Sequence, residues 1–490
     1  MKPITNIRIP GWTFIAAATL AGLLARWWHL GKASIWHDEG FSIMLAQLSP
    51  AEIVERTAHD VHPPLYYLVL HYWMNLFGTG EAAIRSLSML CTVAIVPLTY
   101  VLVRRLWNER SAQLAALFVA LGPMLVRYGQ EARMYGLAAL FVLASVYCLV
   151  RAMERNRWQW WSLYALSLAA AMYTHYYSLF ILPALLAWVT LHTNRKKGSG
   201  WWNYRWWLSN LGAFLLFSPW LPSVYDQLTR RKNFSWIPAV DATTLPNTLL
   251  QFLAFMNPTI LSSGIKLAAG GLFMGLLLAA WRMGGKRRQP LLLFGLYGLT
   301  GPLLIYIFSF SGSPYLERYF TYAAVGFYCL LALMVTQLGR RTQLAAIVAI
   351  LVLFGLGSYS INTFYTHDMR SLSRYVNQHY QPGDYLLSDI FLSYFDFSYY
   401  NHTGAPVHLW EADGINGYGE TSLLKKKEHE LILRDAAALQ PASGRLWMIS
   451  KLDKPRAADQ IPSNWKPVGP KMVFADNALQ RYLVEPRSQK

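Results

Sequence analysis

The chain is poor in charged residues and in cysteine. Charged residues make up only 14% of its 490 residues, whereas hydrophobic residues make up 54%. This balance excludes an ordinary soluble protein, because a soluble domain carries about 25% charged residues. The three cysteines, Cys91, Cys148 and Cys329, lie in apolar segments. Their spacing matches no disulfide framework and no zinc motif, so neither is indicated.

Acidic residues are also scarce, with 26 Asp and Glu against 44 Lys and Arg and a net charge of +18. A nucleic-acid partner would be one explanation of such a charge. The Lys and Arg residues, however, lie in short clusters between apolar runs, and that pattern orients membrane spans. We therefore expect a membrane lipid environment and no nucleic-acid partner.

The apolar runs predict an α-helical polytopic membrane protein. A span needs about 20 apolar residues. By that rule we expect about eleven transmembrane helices, the first of them a retained anchor and not a cleaved signal peptide. They are predicted at residues 11–30, 85–106, 111–127, 134–152, 158–175, 177–192, 206–223, 265–282, 290–310, 319–338 and 343–361.

The basic clusters fall at alternate junctions between spans, which makes those junctions cytoplasmic. They are Arg104/Arg105/Arg110, Arg151/Arg155/Arg157, Arg195/Lys196/Lys197, Arg282/Lys286/Arg287/Arg288 and Arg340/Arg341. The N-terminus is then cytoplasmic, and the outer face carries residues 31–84, 128–133, 175–177, 224–264, 311–318 and everything after about 362. Because nearly all distinctive polar motifs lie in these outer segments, we expect them to converge on one site.

The longest outer segments have features of their own. Loop 31–84 has apolar residues at helical spacing in 41–48 and 65–77, which predicts two helices along the membrane surface. Loop 224–264 contains Arg230-Arg231-Lys232, a triplet suited to an anionic headgroup.

Residues 362–490 have ordinary composition and predict a small extracytoplasmic α/β domain, separate from a membrane module at 1–361 that includes loop 31–84. Helices are predicted at 368–380 and 423–439, and strands at 385–392 and 446–450. This domain contains no catalytic motif.

Two acidic motifs lie in loop 31–84. The first is Asp38-Glu39, directly after the first span. The second is His59-Asp60-Val61-His62-Pro63-Pro64-Leu65-Tyr66-Tyr67, in which two prolines fix the chain before a helix. The alternatives are a solvated loop for Asp38-Glu39 and a helix start with Asp60 near its cap for the second motif.

This pair of motifs resembles the protein O-mannosyltransferases, and more loosely the bacterial aminoarabinose transferases and related polyprenyl-phosphate-sugar enzymes of the GT-C fold. The resemblance implies an inverting transferase in a cell membrane, the bacterial inner membrane included, with Asp38 as the catalytic base and Glu39 as its orienting or acceptor-binding partner. Tyr66-Tyr67 depart from the eukaryotic pattern, and the eukaryotic soluble domain is missing, so the acceptor need not be a protein.

The chemistry of such a donor requires one base and one cation. A sugar on a phosphate already has a good leaving group, whereas a glycosidase needs two carboxylates. A base must reach the acceptor hydroxyl, and a cation must hold the departing phosphate. Arginine suits that role because its planar fork donates paired hydrogen bonds. The candidates are Arg318, beside Glu317 in Pro314-Tyr315-Leu316-Glu317-Arg318-Tyr319, and Arg133, in Gln130-Glu131-Ala132-Arg133-Met134-Tyr135.

These last two motifs also resemble sequences of the same superfamily, which implies substrate binding by Glu131, Tyr135 and Glu317. An ion pair between Glu131 and Arg133 that joins two span ends is the alternative for Arg133. His175 and Tyr176 are further binding candidates in Thr174-His175-Tyr176-Tyr177, although interfacial aromatic residues often serve only as an aromatic belt.

No cofactor is required by this chemistry. A divalent ion such as zinc or manganese would be an addition if enough oxygen and imidazole ligands converge. The residues that offer such ligands are His37, Asp38, His59, Asp60, His62 and Glu131.

The leading hypothesis is a glycosyltransferase that moves a sugar from a polyprenyl-phosphate donor to a hydroxyl of a lipid, glycan or protein. One rival is a transporter or flippase of lipid-linked sugars, but that class predicts paired repeats and ionisable groups at mid-membrane depth. A relative that binds glycolipid without catalysis is the third. The identity of the sugar depends on a few hydrogen bonds that no motif encodes.

Overall fold

The computed structural model describes residues 11–193, 204–230, 237–255, 261–283, 288–310, 315–363, 367–410, 423, 431–454 and 458–486. The predicted basic cluster at 195–197, residues 231–232 of the basic triplet, residues 286–287 and residues 424–430 of the predicted helix 423–439 lie outside these ranges. The chain divides into two compact units, Met1–Trp28 with Arg85–Thr363, and His29–Ile84 with Phe364–Lys490.

The described residues are mostly helical. In chain order the helices are α1 Gly11–Trp27, α2 His37–Ala46, α3 Pro50–Ala58, α4 Leu65–Phe77, α5 Glu81–Leu106, α6 Glu109–Leu121, α7 Pro123–Gly129, α8 Tyr135–Arg155, α9 Trp158–Thr174, α10 Ile181–Thr193, α11 Tyr204–Phe217, α12 Leu221–Arg230, α13 Thr244–Ala254, α14 Ser263–Met283, α15 Arg288–Ser309, α16 Thr321–Val335, α17 Arg340–Thr363, α18 Met369–His379 and α19 Phe391–Tyr400. The strands are β1 Tyr385–Ser388, β2 Val407–Trp410, β3 Ile432–Leu433, β4 Arg445–Lys451, β5 Trp465–Phe474 and β6 Asn477–Val484.

Six helical segments of the described chain are long and apolar enough to cross a membrane, and the bent pair α6 and α7 would make a seventh. They are Glu81–Leu106, Tyr135–Arg155, Ser263–Arg282, Arg288–Ser309, Glu317–Val335 and Arg340–Ile361. The prediction of about eleven spans is therefore confirmed only in part.

The other predicted spans are shorter or interrupted helices. Helices α1 and α9 have 17 residues each. The predicted span 177–192 begins as a 3-10 turn, Tyr176–Phe180, before α10, and 206–223 is broken by the 3-10 turn Ser218–Trp220 after α11. Pro219 lies in that second turn and cannot donate a helical hydrogen bond. Apolar length alone therefore predicts more continuous spans than the backbone forms.

A break between α6 and α7 is held by an arginine on α1. Pro123 has no N–H, so the carbonyl of Val119 lacks its helical donor. Arg26, which is fully buried, donates to that carbonyl at 3.2 Å, to the carbonyl of Ala120 at 2.7 Å and to Thr92 Oγ1 at 2.9 Å. Gly129, at the end of α7, is required by this packing, because a Cβ there would lie 2.4 Å from Thr92 Oγ1. The break thus has a defined geometry that directs α7 into the turn at 130–134.

The second unit begins with α2, α3 and α4 from the loop 31–84. The predicted helix at 65–77 is confirmed as α4. The helix predicted at 41–48 lies at 37–46 and is buried over most of its residues, in place of the exposed polar face expected of a membrane-surface helix. Helix α3 was not predicted, although Ser49 and Glu52 form a capping box at its start with Pro50 in the first turn, which is a readable start signal.

The same unit contains a six-stranded sheet, among the described residues, of order β3-β2-β1-β4-β6-β5. Strand β1 pairs in parallel with β2 and β4, and β6 pairs antiparallel with β4 and β5. Helix α19 connects β1 to β2. The core beneath the sheet includes Leu387, Trp410, Leu446, Met448 and Trp465.

The α/β prediction for this region is right for α18 and β4, which match the expected 368–380 and 446–450. The strand predicted at 385–392 is confirmed only for 385–388 as β1, because residues 391–392 begin α19. It is wrong for the described part of 423–439, where residues 432–433 form β3 and Ala436–Ala438 form a single 3-10 turn. A parallel partner on β2 stabilises the short strand, and local helical propensity carries no information about that partner.

Candidate active site

The Asp38-Glu39 pair lies in the first turn of α2, which begins at His37 after an extended Trp36. Carboxylates are stabilised there by the partial positive charge of the helix N-terminus. The two side chains differ in access, since Glu39 is fully buried and Asp38 is half-buried. Asp38 is therefore the member of the pair that a substrate can reach.

Asp60 and His62 lie in the connection between α3 and α4. Both are buried, and Asp60 Oδ2 lies 3.5 Å from His62 Nδ1. Within the described residues neither carboxylate oxygen of Asp60 accepts a hydrogen bond. Burial of a carboxylate costs free energy unless it is paired, and the His62 imidazole can supply that pairing when it is protonated.

In the first unit, the turn between α7 and α8 carries Gln130, Glu131 and Arg133, all of them buried. The side-chain amide of Gln130 donates to the carbonyls of Trp28 at 2.7 Å and Arg26 at 3.1 Å. Glu131 forms an ion pair with Arg127, one turn earlier on α7. The carbonyl of Arg133 accepts a hydrogen bond from Ser88 Oγ at 3.0 Å. The turn is thus fastened to α1 and α5.

An aromatic cluster joins three of the predicted motifs. The ring centroids of His175 and Tyr319 lie 4.9 Å apart, those of Tyr135 and His175 lie 5.9 Å apart, and those of Tyr135 and Tyr319 lie 6.2 Å apart. His175 Nδ1 accepts the backbone N–H of Tyr177 at 3.1 Å, which in the neutral ring leaves the proton on Nε2. The segments 128–135, 175–177 and 317–319 therefore meet inside the first unit.

Arg318 and Glu317 lie in the 3-10 turn Glu317–Phe320, which precedes α16. Glu317 Oε1 accepts a hydrogen bond from Asn247 Nδ2 at 3.1 Å, so α13 supports the turn. Arg318 is half-buried, and its guanidinium carbon lies 6.0 Å from the centroid of the Tyr319 ring. Pro314 of the predicted motif lies outside the described residues.

The Tyr176 hydroxyl forms hydrogen bonds with two other side chains of the protein. It accepts from Trp220 Nε1 at 2.8 Å and donates to Gln227 Oε1 at 2.7 Å. This places Tyr176 as a link between the 175–177 segment and α12.

The described part of the chain has no group of three or more His, Cys, Asp or Glu side chains spaced to hold a metal ion. Of the ligands proposed from the sequence, Asp60 and His62 form a close pair, and His37 packs its ring against Phe391 and Phe395. A metal site therefore gains no support from these residues.

The structure places the candidates in two sets. Asp38, Glu39, Asp60 and His62 belong to the second unit, and Glu131, Arg133, Tyr135, His175, Tyr176, Glu317 and Arg318 belong to the first. Sequence reasoning missed the contributions of Tyr319, Arg127 and Asn247. Tyr319 is the last residue of the predicted motif 314–319, where it was assigned no role, and Arg127 lies three residues before the motif 130–135, whereas Asn247 had no local signal.

Residues 61–222 match the family described as dolichyl-phosphate-mannose-protein mannosyltransferase. This segment contains six of the candidates: His62, Glu131, Arg133, Tyr135, His175 and Tyr176. Among curated proteins, none matches the sequence of this chain.

Solved structures share the fold across most of the chain. ArnT from Cupriavidus metallidurans is similar at 14% identity over 97% of this chain and 99% of that chain, with a TM-score of 0.62 when bound to undecaprenyl phosphate and 0.64 in the apo state. The apo oligosaccharyltransferase of Archaeoglobus fulgidus is similar at 11% identity over 79% of this chain and 63% of that chain, with a TM-score of 0.54. The resemblance read from the motifs is thus confirmed, and the chain has a GT-C glycosyltransferase fold.

Proposed function

We propose that the chain is an inverting glycosyltransferase that moves a sugar from a polyprenyl-phosphate donor to a hydroxyl of a lipid, glycan or protein acceptor. The observation that carries this proposal is the fold, which is similar over 97% of the chain to an ArnT bound to undecaprenyl phosphate. We place the reaction on the outer face of a cell membrane, the bacterial inner membrane included, with the N-terminus cytoplasmic and the C-terminal region outside.

In this proposal Asp38 is the general base. Its carboxylate takes the proton of the acceptor hydroxyl as the oxygen forms a bond to the anomeric carbon of the donor sugar. The bond from that carbon to the phosphate oxygen breaks at the same time, and polyprenyl phosphate leaves as an anion. Attack opposite the leaving group inverts the configuration. The half-buried position of Asp38 supports the role, since the base must touch the acceptor.

Glu39, Asp60 and His62 are proposed to bind and orient the sugar or the acceptor. Glu39 is fully buried beside Asp38, which suits a residue that holds its neighbour in place. The buried Asp60 carboxylate and His62 imidazole can exchange hydrogen bonds with sugar hydroxyls, because a carboxylate only accepts and an imidazole can donate.

The leaving phosphate is proposed to be held by Arg318, with Arg133 as a second cation. Such a cation lowers the barrier because it stabilises charge that grows as the bond breaks. Tyr319 supports this assignment, because its ring lies 6.0 Å from the guanidinium carbon of Arg318 and also contacts the rings of Tyr135 and His175. Glu131, Tyr176 and Glu317 are proposed as supporting residues of the same donor site.

The test uses purified full-length protein with radiolabelled polyprenyl-phosphate mannose, glucose, galactose and aminoarabinose, and extracted envelope lipids and glycans as acceptors. Transfer by the wild type is expected for at least one donor. Asp38→Asn should lower kcat by about a thousandfold, since it removes the proton acceptor, with donor affinity within about twofold of the wild type.

The control is Asp453→Asn, which removes an exposed carboxylate of the second unit and should leave transfer unchanged. Full turnover by Asp38→Asn would remove Asp38 as the base. Absence of transfer by the wild type from every donor would contradict the proposed activity itself.

A further inference from the structure

The segment that leads into the Asp38-Glu39 turn is held by Arg370 of α18. The guanidinium donates to the carbonyls of Gly31 at 3.0 Å and Lys32 at 3.2 Å, and the backbone N–H of Arg370 donates to Ser34 Oγ at 3.2 Å. Arg370 also forms an ion pair with Glu81, at the start of α5. One residue of the C-terminal region therefore holds three residues of the irregular segment 31–34.

Tyr400, the last residue of α19, holds the next position. Its hydroxyl accepts the backbone N–H of Ile35 at 2.8 Å and donates to Glu81. Ile35 is fully buried, and a buried N–H needs a partner inside the protein. Because Glu81 contacts both Arg370 and Tyr400, these three residues form one connected set of contacts that holds the segment 31–35.

Helix α2 itself lies directly on α19. A Cβ on Gly40 would lie 2.7 Å from the backbone carbon of Phe395 and 2.8 Å from the backbone nitrogen of Asp396. The Phe395 ring also contacts the rings of His37 and Phe41, with centroids 5.4 Å and 5.5 Å apart. Gly40 follows Glu39 immediately, so the closest approach of the two helices lies next to the carboxylate pair.

Helix α19 is in turn anchored to the sheet by charged groups. Asp396 Oδ2 lies 3.9 Å from Lys451 Nζ on β4, and Lys451 Nζ lies 2.9 Å from Asp476 Oδ2. His367 Nδ1 lies 2.5 Å from the same Asp476 oxygen. Asp396 and Lys451 are both buried, and breaking a buried ion pair is strongly destabilising. Charged contacts therefore join α19, on which α2 rests, to the sheet.

We propose that the C-terminal region, through α19, Tyr400 and Arg370, positions the Asp38-Glu39 turn for catalysis and is thus a working part of the active site. This inference rests on the proposed function, in which Asp38 is the base. Helix α2 has only 10 residues, and a helix that short does not hold its shape or position alone. Its position therefore depends on what it packs against, and a displacement of about 1 Å can cost a hundredfold in rate.

The first test is Gly40→Ala. The new methyl group collides with backbone, which cannot rotate away, so α2 must move off α19. We expect kcat to fall at least tenfold while the affinity for polyprenyl phosphate stays within about twofold. Gly80→Ala is the matched control, since a Cβ on Gly80 has no neighbour within 4 Å, and it should keep wild-type kcat.

The second test compares adjacent tyrosines at the end of α19. Tyr400→Phe removes the acceptor of the Ile35 N–H and should lower kcat without changing donor affinity. Tyr399→Phe removes a hydroxyl that donates to the Thr79 carbonyl at 2.8 Å and should leave kcat unchanged. Equal kcat in these two variants, together with wild-type kcat in Gly40→Ala, would overturn the inference.

A readout that does not depend on activity is amide hydrogen exchange of residues 38–46 in the full-length protein. Protection should fall in Gly40→Ala and Tyr400→Phe and should remain in their controls. If the wild type transfers no sugar, the proposed function fails and these exchange data alone decide whether α19 holds α2. If the wild type transfers sugar and neither exchange nor kcat changes, only the positioning role fails.

Discussion

Arg26 Nη1 donates to the carbonyl of Ala120 at 2.7 Å and thereby joins α1 to the broken end of α6. The link is reciprocal, because the Gln130 side chain at the end of α7 donates back to the Arg26 carbonyl at 3.1 Å. A guanidinium inside an apolar helix is costly unless its donors are all used. Here the guanidinium donates to the carbonyls of Gly22, Ala120 and Val119 and to the Thr92 hydroxyl. The Val119 carbonyl is the one that Pro123 leaves without a helical donor. The contact with α1 therefore helps to fix the position of the turn that carries Glu131 and Arg133.

Arg26→Met should therefore destabilise the protein strongly. The substitution keeps a long apolar side chain but leaves buried carbonyls without donors, each at a cost of about 1–3 kcal/mol. We expect a loss of about 3–5 kcal/mol in unfolding free energy, measured by thermal unfolding in detergent. Arg104→Met is the control, because the Arg104 side chain is 62% exposed. A melting temperature of Arg26→Met equal to that of Arg104→Met would contradict the role assigned to Arg26.

Arg318→Ala should weaken donor binding. Loss of charge-assisted hydrogen bonds to a phosphate is worth about 1.5–3 kcal/mol, so the Kd for polyprenyl phosphate should rise about 10- to 100-fold. Arg318→Lys should recover only part of the affinity, because an ammonium lacks the planar fork. Affinity would be measured by fluorescence quenching in nanodiscs.

The matched control for Arg318 is Arg341→Ala, which removes an exposed arginine in the first turn of α17. It should leave donor affinity unchanged. An unaltered Kd in Arg318→Ala would exclude Arg318 as the phosphate ligand.

Asp384 should make the stability of the second unit depend on pH. Burial raises the pKa of its carboxyl, but hydrogen bonds from Arg445, Trp447, the Gln381 backbone and Ser443 outweigh that effect and hold the pKa below its usual value. A lowered folded pKa contributes stability above the unfolded pKa of about 3.9, and that stability is lost as pH falls through the folded pKa.

Asp384→Asn should accordingly destabilise the protein at pH 7 by about 3 kcal/mol. The difference from the wild type should persist down to about pH 5 and close below about pH 4. Chemical unfolding followed by tryptophan fluorescence measures it, with Asp459→Asn as an exposed control. A difference independent of pH would mean that the carboxylate charge contributes nothing.

The proposed topology predicts where reporters will function. Alkaline phosphatase fused after residue 365 should be active, and a fluorophore that matures only in the cytoplasm should be dark there. The junctions at Arg104/Arg105 and Arg340/Arg341 carry basic clusters and are predicted to be cytoplasmic. Fusions there should give an inactive phosphatase and a bright fluorophore. An inactive phosphatase after residue 365 would place Asp38 and its partners on the wrong side for this donor chemistry.

Several features of this protein follow from local sequence. Apolar run length predicts the long spans at α5, α8, α15, α16 and α17, because the thickness of a bilayer sets the length of helix that crosses it. The motif around Asp60 and His62 predicts the start of α4, because consecutive prolines restrict the backbone just before it. The GT-C resemblance could be read from the same motifs.

Other features depend on residues far apart in the chain and so escape local reasoning. The contact of His175 with Tyr319 joins positions separated by more than a hundred residues, and only helix packing decides it. The predicted span 206–223 breaks near Pro219, because proline cannot donate the hydrogen bond that would continue the helix.

The sequence by itself determined the membrane character of the chain, the acidic pair Asp38-Glu39 and the arginines suited to a phosphate. Only the tertiary structure decided that Asp38 is accessible while Glu39 is buried, and that α2 rests on α19 through Gly40. The physical reason is that a side chain's chemistry is a local property, whereas its exposure and position are decided by the distant backbone that packs against it.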